Sequence, residues 1–85
     1  MRYRVQFDAS LEHELAKIDS KTVARILSVI ESLAENPRPP RCLKLKGKSN
    51  LYRVRVGNFR VIYAIEDSLN LVAILRVGDR KDAYR

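Results

Sequence analysis

The chain has 85 residues, 46% of them apolar and 32% charged, with a formal net charge of +7 and a single cysteine. That length holds one domain (1–85) with a modest core, since chains of this size bury roughly 60–65% of their unfolded surface. The composition excludes a disordered chain, a disulfide scaffold and a membrane span: no apolar run approaches ~18 residues, and Cys42 has no partner for an internal disulfide.

Residues 2–7 alternate, with Tyr3, Val5 and Phe7 on one side and Arg2, Arg4 and Gln6 on the other, which predicts a first strand. Because this pattern starts at once, no signal peptide is expected, and a reducing cytoplasm is the simplest compartment. Asp8 or Ser10 can cap a short helix in which Leu11, Leu15 and Ile18 recur at i, i+4 and i+7. Asp19-Ser20 breaks and recaps it. A second helix, about 20–35, gathers Val23, Ile26, Leu27, Ile30, Leu33 and Ala34 on one stripe. Asn36-Pro37 ends that helix, because the residue before a proline is pushed out of the helical region.

Arg38-Pro39-Pro40-Arg41 is an extended connector, and Leu43 and Leu45 alternating with Lys44 and Lys46 predict a short strand before Gly47. Gly57-Asn58 then suits the tight turn of a hairpin. With a two-residue loop, Val56 faces Phe59, Arg55 faces Arg60, Val54 faces Val61 and Tyr52 faces Tyr63. Alternation sorts Tyr52, Val54, Val56, Phe59, Val61, Tyr63 and Ile65 onto a core face, and Leu51, Arg53, Arg55, Arg60, Ile62 and Ala64 onto the other. After a turn near Asp67-Ser68, a last strand over Leu71 to Val77 is apolar on both faces apart from Arg76, which predicts a central position. Gly78 closes it, and Asp79 to Arg85 forms either one helical turn or a tail. The order β–α–α–β–β–β, with room for an extra short strand, is an α+β fold: a helical hairpin on one face of a small, mainly antiparallel sheet.

The charge is segregated. Residues 36–65 hold eight basic side chains and no acid, whereas the segments on either side are close to balanced. Three arginines meet on one hairpin face, and like charges directly opposite cost on the order of 0.2–1 kcal/mol per pair. Either the cluster takes an anionic ligand or its arginines splay into solvent. The segregation points to nucleic acid or another polyanion.

Conventional chemistry finds little support. His13 is the only histidine and lies in the first predicted helix, far in sequence from the basic stretch; Glu66-Asp67 belongs to a turn, and Asp79 and Asp82 flank basic residues. No Cys/His spacing suits a metal and no glycine-rich loop suits a nucleotide, so neither cofactor nor metal is expected. Lys, Arg and Tyr remain, and phosphate is the group they suit, through bidentate guanidinium contacts and stabilisation of a developing oxyanion. RNA brings its own nucleophile, the 2′-hydroxyl. Tyr84, next to Arg80 and Lys81, either stacks on a base or is a frayed chain end.

In this order and spacing, Leu45-Lys46-Gly47, Tyr52-Arg53-Val54-Arg55, Phe59-Arg60-Val61-Ile62-Tyr63 and Val77-Gly78-Asp79-Arg80 running to Tyr84 resemble the RelE/ParE superfamily of type II toxin–antitoxin toxins, over nearly the whole chain. The resemblance implies a concave sheet face holding the active site of an endoribonuclease. RelE-type members cut mRNA in the ribosomal A site, and a cognate antitoxin inhibits them; DNA is met only through the antitoxin complex. On the matching positions, Arg53 and Arg55 are the basic strand residues, Arg60 the transition-state arginine, Arg80 the general acid and Tyr84 the base-stacking tyrosine. Lys44, Lys48 and Lys81 would add RNA contacts. Two departures stand out. Arg55 occupies the position of a general-base lysine, and a guanidinium keeps its proton. Either Lys46 or another lysine takes that role, or catalysis relies on charge and positioning. The segment after Gly78 is also short. The rivals are a ParE-like gyrase binder and an inactive co-repressor; Arg60, Arg80 and Tyr84 together favour the RelE type.

Overall fold

A computed structural model of the protein describes residues 2–47 and 49–79. Expectations placed on Lys48, Arg80, Lys81 and Tyr84 lie outside the described residues. The elements run β1 (Arg4–Phe7), α1 (Leu11–Ala16), α2 (Ser20–Leu33), β2 (Leu43–Lys44), β3 (Leu51–Val56), β4 (Phe59–Glu66) and β5 (Leu71–Asp79), with a 3-10 turn over Asp67–Leu69. They form a five-stranded sheet in the order β1-β5-β4-β3-β2. Only β1 and β5 pair in parallel; the other neighbours are antiparallel. The extra short strand is therefore present, as β2 at the sheet edge.

Local chemistry sets the helix ends. Asp19 is extended (φ −63°, ψ 152°) and its carboxylate accepts from the Thr22 backbone N–H at 3.1 Å, capping α2. The Thr22 hydroxyl, then that N–H, hold the Asp19 carboxyl below its ordinary value. Ile26, Ile30 and Leu33 pack onto Val54, Val56, Val61, Tyr63, Ile65, Val72, Ile74 and Val77, so both helices cover one face of the sheet. Tyr63 is fully buried, and its hydroxyl donates to the Pro37 carbonyl at 2.7 Å. Burial, and secondarily Cys42, push that hydroxyl's pKa upward, so it stays a donor.

Three details depart from expectation. Phe7, on the apolar side of the first strand, and Leu27, on the apolar stripe of the second helix, are 48% and 40% exposed. β1 is an edge strand and α2 turns Leu27 to its flank, so both side chains line an open hollow of about 840 Å³ outside the core. β5 does not close at Gly78, because Gly78 and Asp79 still pair with Arg60 and Phe59 of β4. β1 meanwhile stops at Phe7 opposite Ile74, which leaves the far half of β5 with an open edge. There the Glu14 carboxylate of α1 accepts from the Val77 backbone N–H at 2.7 Å and pairs with Arg76 at 3.3 Å. A backbone donor that β1 is too short to satisfy is thus satisfied by a side chain.

Candidate nucleic-acid interface

The β3–β4 hairpin turns on Gly57, whose φ of +60° is most readily adopted by a residue without a Cβ, and its register is Val56↔Phe59, Arg55↔Arg60, Val54↔Val61, Arg53↔Ile62 and Tyr52↔Tyr63. Two residues between the strands leave no slack for slippage, so the side chains alternate between the helix-covered face and an open face. Rows on the open face read Arg55–Arg60–Gly78 and Arg53–Ile62–Arg76 across β3, β4 and β5. Arg55 is exposed, Arg53 and Arg60 half-buried. Gly78 presents no side chain beside Arg60, and a small hollow lined by Arg55, Gly57, Asn58, Phe59 and Arg60 marks the hairpin tip.

One atom stands out. The Nε of Arg60 is buried and has no hydrogen-bond partner among the described residues. Leaving a buried donor unsatisfied costs about 1–3 kcal/mol, more for a charged group. Arg60 also faces Arg55 across the ladder, so two cationic groups oppose each other, and neither has an ion-pair partner among the described residues. An oxyanion accepting from Arg60 and balancing Arg55 relieves both costs. Among the described residues, no three His, Cys, Asp or Glu side chains gather as a metal-holding group.

Not every expected site residue joins this cluster. Lys44 pairs in register with Tyr52, on the helix side of the outermost strand, while its neighbour Leu43 pairs with Arg53 on the open face and is 54% exposed. Lys46 lies in the turn after β2, next to Leu45, whose N–H donates to the Leu51 carbonyl. Leu51 and Arg55 are at opposite ends of β3, four residues or ~13 Å apart. A lysine at position 46 is therefore remote from the Arg55–Arg60 pair. Ile62 and Ala64, expected as an apolar part of the open face, are only 7% and 8% exposed. Ile62 lies between Arg53 and Arg76, whose stems shield it, and Ala64, a single methyl group, lies between Leu51 and Ala73.

Sequence reasoning missed Glu14 and the clamp on the proline-rich connector. Arg38 donates to Asp67 at 2.7 Å and to the Tyr52 hydroxyl at 3.3 Å, and lies over the Tyr52 ring 5.4 Å from its centroid; Tyr52 stacks on Tyr63 at 5.9 Å. Tyr3 donates to the same Asp67 at 2.6 Å. The hydrogen-bonded partners are 14 to 64 residues apart in the chain, so spacing carried no signal for them; only the facing of Tyr52 and Tyr63 followed from the hairpin register. The clamp ties the connector that delivers β2 to both β1 and the turn before β5.

The Asp67 carboxyl is held below its ordinary value, first by Arg38 and then by Tyr3. A depressed carboxyl stabilises the fold fully above its unfolded pKa, and loses that contribution as pH falls through the lowered folded value. Below about pH 4, acid unfolding of Asp67→Asn should therefore be less steep than that of wild type, whereas near neutrality the variant should melt earlier. Thermal melts across that pH range, followed by circular dichroism, check both signs.

Residues 1–84 match the family model described as ParE toxin of type II toxin–antitoxin system, parDE. The chain is 30% identical to Toxin RelG of Mycobacterium tuberculosis, covering 100% of this chain and 99% of the relative. It is 31% identical to Toxin RelE of the same organism, over 98% and 87% of the two chains. The fold matches the crystal structure of an archaeal RelE–RelB complex from Pyrococcus horikoshii OT3 with a TM-score of 0.85 at 30% identity, covering 98% of this chain and 100% of that one. The chain thus belongs to the ParE toxin family within the RelE/ParE superfamily, as a RelE-type toxin of a type II toxin–antitoxin system.

Proposed function

We propose that this toxin is a ribosome-dependent endoribonuclease that cuts mRNA in the A site. The 2′-hydroxyl attacks the adjacent phosphorus, the bond to the 5′-oxygen breaks, and the products are a 2′,3′-cyclic phosphate and a 5′-hydroxyl. The observation that carries the reading is the buried, unpartnered Nε of Arg60 opposite Arg55. A preorganised cationic donor aimed at the phosphoryl oxygens stabilises the charge that develops in the transition state. Arg53 holds the strand's neighbouring phosphate. By the family's pattern, Arg80 protonates the leaving oxygen and Tyr84 stacks on a base. The remoteness of Lys46 supports charge stabilisation over a lysine base, with water taking the 2′-hydroxyl proton. The archaeal relative was solved as a RelE–RelB complex. By the same logic, a cognate acidic antitoxin inhibits this chain by neutralising the arginine face.

The test adds purified toxin to ribosomes programmed with a defined mRNA and maps 3′ ends by primer extension. A cut within the A-site codon that is abolished by the co-expressed antitoxin supports the reading; its absence removes it. The match to a model named for ParE supports a second reading, binding of DNA gyrase, and gyrase-dependent DNA breaks are its signature.

Arg55→Lys extends the test. A lysine restores an amine that can accept a proton, so the single-turnover rate should rise, with a new pH-dependent limb, if the base is limiting. An unchanged or lower rate assigns Arg55 to charge stabilisation alone.

A further inference from the structure

The described arginines fall into two groups. Arg2, Arg38 and Arg76 each sit on a carboxylate, those of Glu35, Asp67 and Glu14. Among the described residues, the side chains of Arg4, Arg25, Arg41, Arg53, Arg55 and Arg60 have no ion-pair or hydrogen-bond partner, and all of these but Arg4, on β1, gather around the β3–β4 hairpin. Arg53, Arg55 and Arg60 belong to the open face. Arg25 and Arg41 do not: with Ser28, Val29, Val56 and Gly57 they line a separate hollow of about 280 Å³ on the helix side of the hairpin.

The geometry of that hollow is specific. Arg25 comes from the middle of α2, where no acid stands at i±3 or i±4 to pair with it. Its guanidinium lies over Gly57, with terminal nitrogens 3.7 and 3.8 Å from where a Cβ would stand. Arg41 closes the other side from the end of the proline-rich connector. Two exposed guanidiniums share one concavity with a hydroxyl and no acid. The tip residue Gly57 also lines the small hollow around Arg55 and Arg60, so one basic track passes around the hairpin tip from the open face to the helix side.

We infer that Arg25 and Arg41 form a second phosphate site, which holds the backbone of a single-stranded RNA running around the Gly57-Asn58 tip. The site rests on the RNA-directed reading of the open face and extends it. A phosphodiester fits better than an acidic protein segment. The lining has only Val29 and Val56 as apolar members, too little to anchor a peptide, whereas paired guanidiniums suit phosphate oxygens. Binding through such contacts is read in its salt dependence, with a slope of about −0.7 per phosphate on a single strand.

The probe is a 12-nucleotide 2′-O-methyl RNA, which offers phosphates without the attacking hydroxyl, so binding is separated from cleavage. Arg25→Gln/Arg41→Gln should weaken binding about tenfold near 0.1 M salt and flatten the salt slope by about 1.4, two contacts' worth. Lys17→Gln/Lys21→Gln removes the same charge elsewhere and should change the slope far less. Arg25→Lys/Arg41→Lys should recover most of the slope, which separates lost charge from a folding defect. The proposal is overturned if wild type does not bind, if the pocket and control variants lose binding equally, or if the pocket variant binds as wild type. It is also overturned if a polyglutamate peptide, and not the RNA, depends on Arg25 and Arg41. Pocket-dependent binding without ribosomal cleavage leaves this site standing and removes the nuclease reading. Cleavage with an idle pocket does the reverse.

Discussion

Arg60→Ala should lower single-turnover cleavage of ribosome-bound mRNA by about 10²–10³, the usual cost of losing one donor aimed at a developing oxyanion. The size of the effect follows from placement. Arg60 is the second residue of β4, locked by the two-residue turn opposite Arg55 and beside Gly78. Its Nε is buried without a partner among the described residues, so its alignment does not have to be assembled during the reaction. The same substitution removes a like-charge pair and a buried unsatisfied donor. The melting temperature should therefore stay level or rise slightly, in contrast to a core substitution. A lowered rate with a lowered melting temperature in proportion would mean that Arg60 serves the fold.

Ile26→Ala should produce the opposite pattern. Ile26 is fully buried on α2, packed against the helix-covered face of the sheet, and truncating such a side chain costs about 2–5 kcal/mol. Against a total stability of about 5–15 kcal/mol, that is a large share. Urea denaturation should show the midpoint falling with little change in slope. Toxicity in cells should drop through loss of folded protein, while cleavage per folded molecule stays near wild type. A change in rate without a change in stability would contradict the assignment of this face to the core.

Much of this arrangement was legible in the sequence because it rests on short-range rules. Gly57-Asn58 sets a hairpin register, and period-two alternation then decides which side chains share a face; Arg53, Arg55 and Arg60 met as those rules require. The Asp19 cap and the Pro37 break bounded α2 in the same way. What escaped depends on tertiary placement. That Lys44 faces the helix side while Leu43 shares a face with Arg53 depends on how β2 meets β3, and two residues of pairing leave too little pattern to read. The exposure of Phe7 and Leu27 comes from β1 being the edge strand, which alternation within β1 does not reveal. Glu14 capping Val77 arises from a mismatch in the lengths of β1 and β5. The Arg25–Arg41 hollow joins α2, the connector and the hairpin, three segments with no common periodicity.

The most direct test of the central claim, that the arginine face cleaves RNA through the substrate's own 2′-hydroxyl, is a single substitution in the mRNA. Ribosomes are programmed with two messages that differ only in one 2′-O-methyl group at the mapped A-site cut, and each is treated with toxin. The unmodified message should be cut to a 2′,3′-cyclic phosphate and a 5′-hydroxyl, and the modified one should stay whole. Cleavage of both messages, or an intact unmodified message with gyrase-dependent DNA breaks in cells expressing the toxin, would contradict the account.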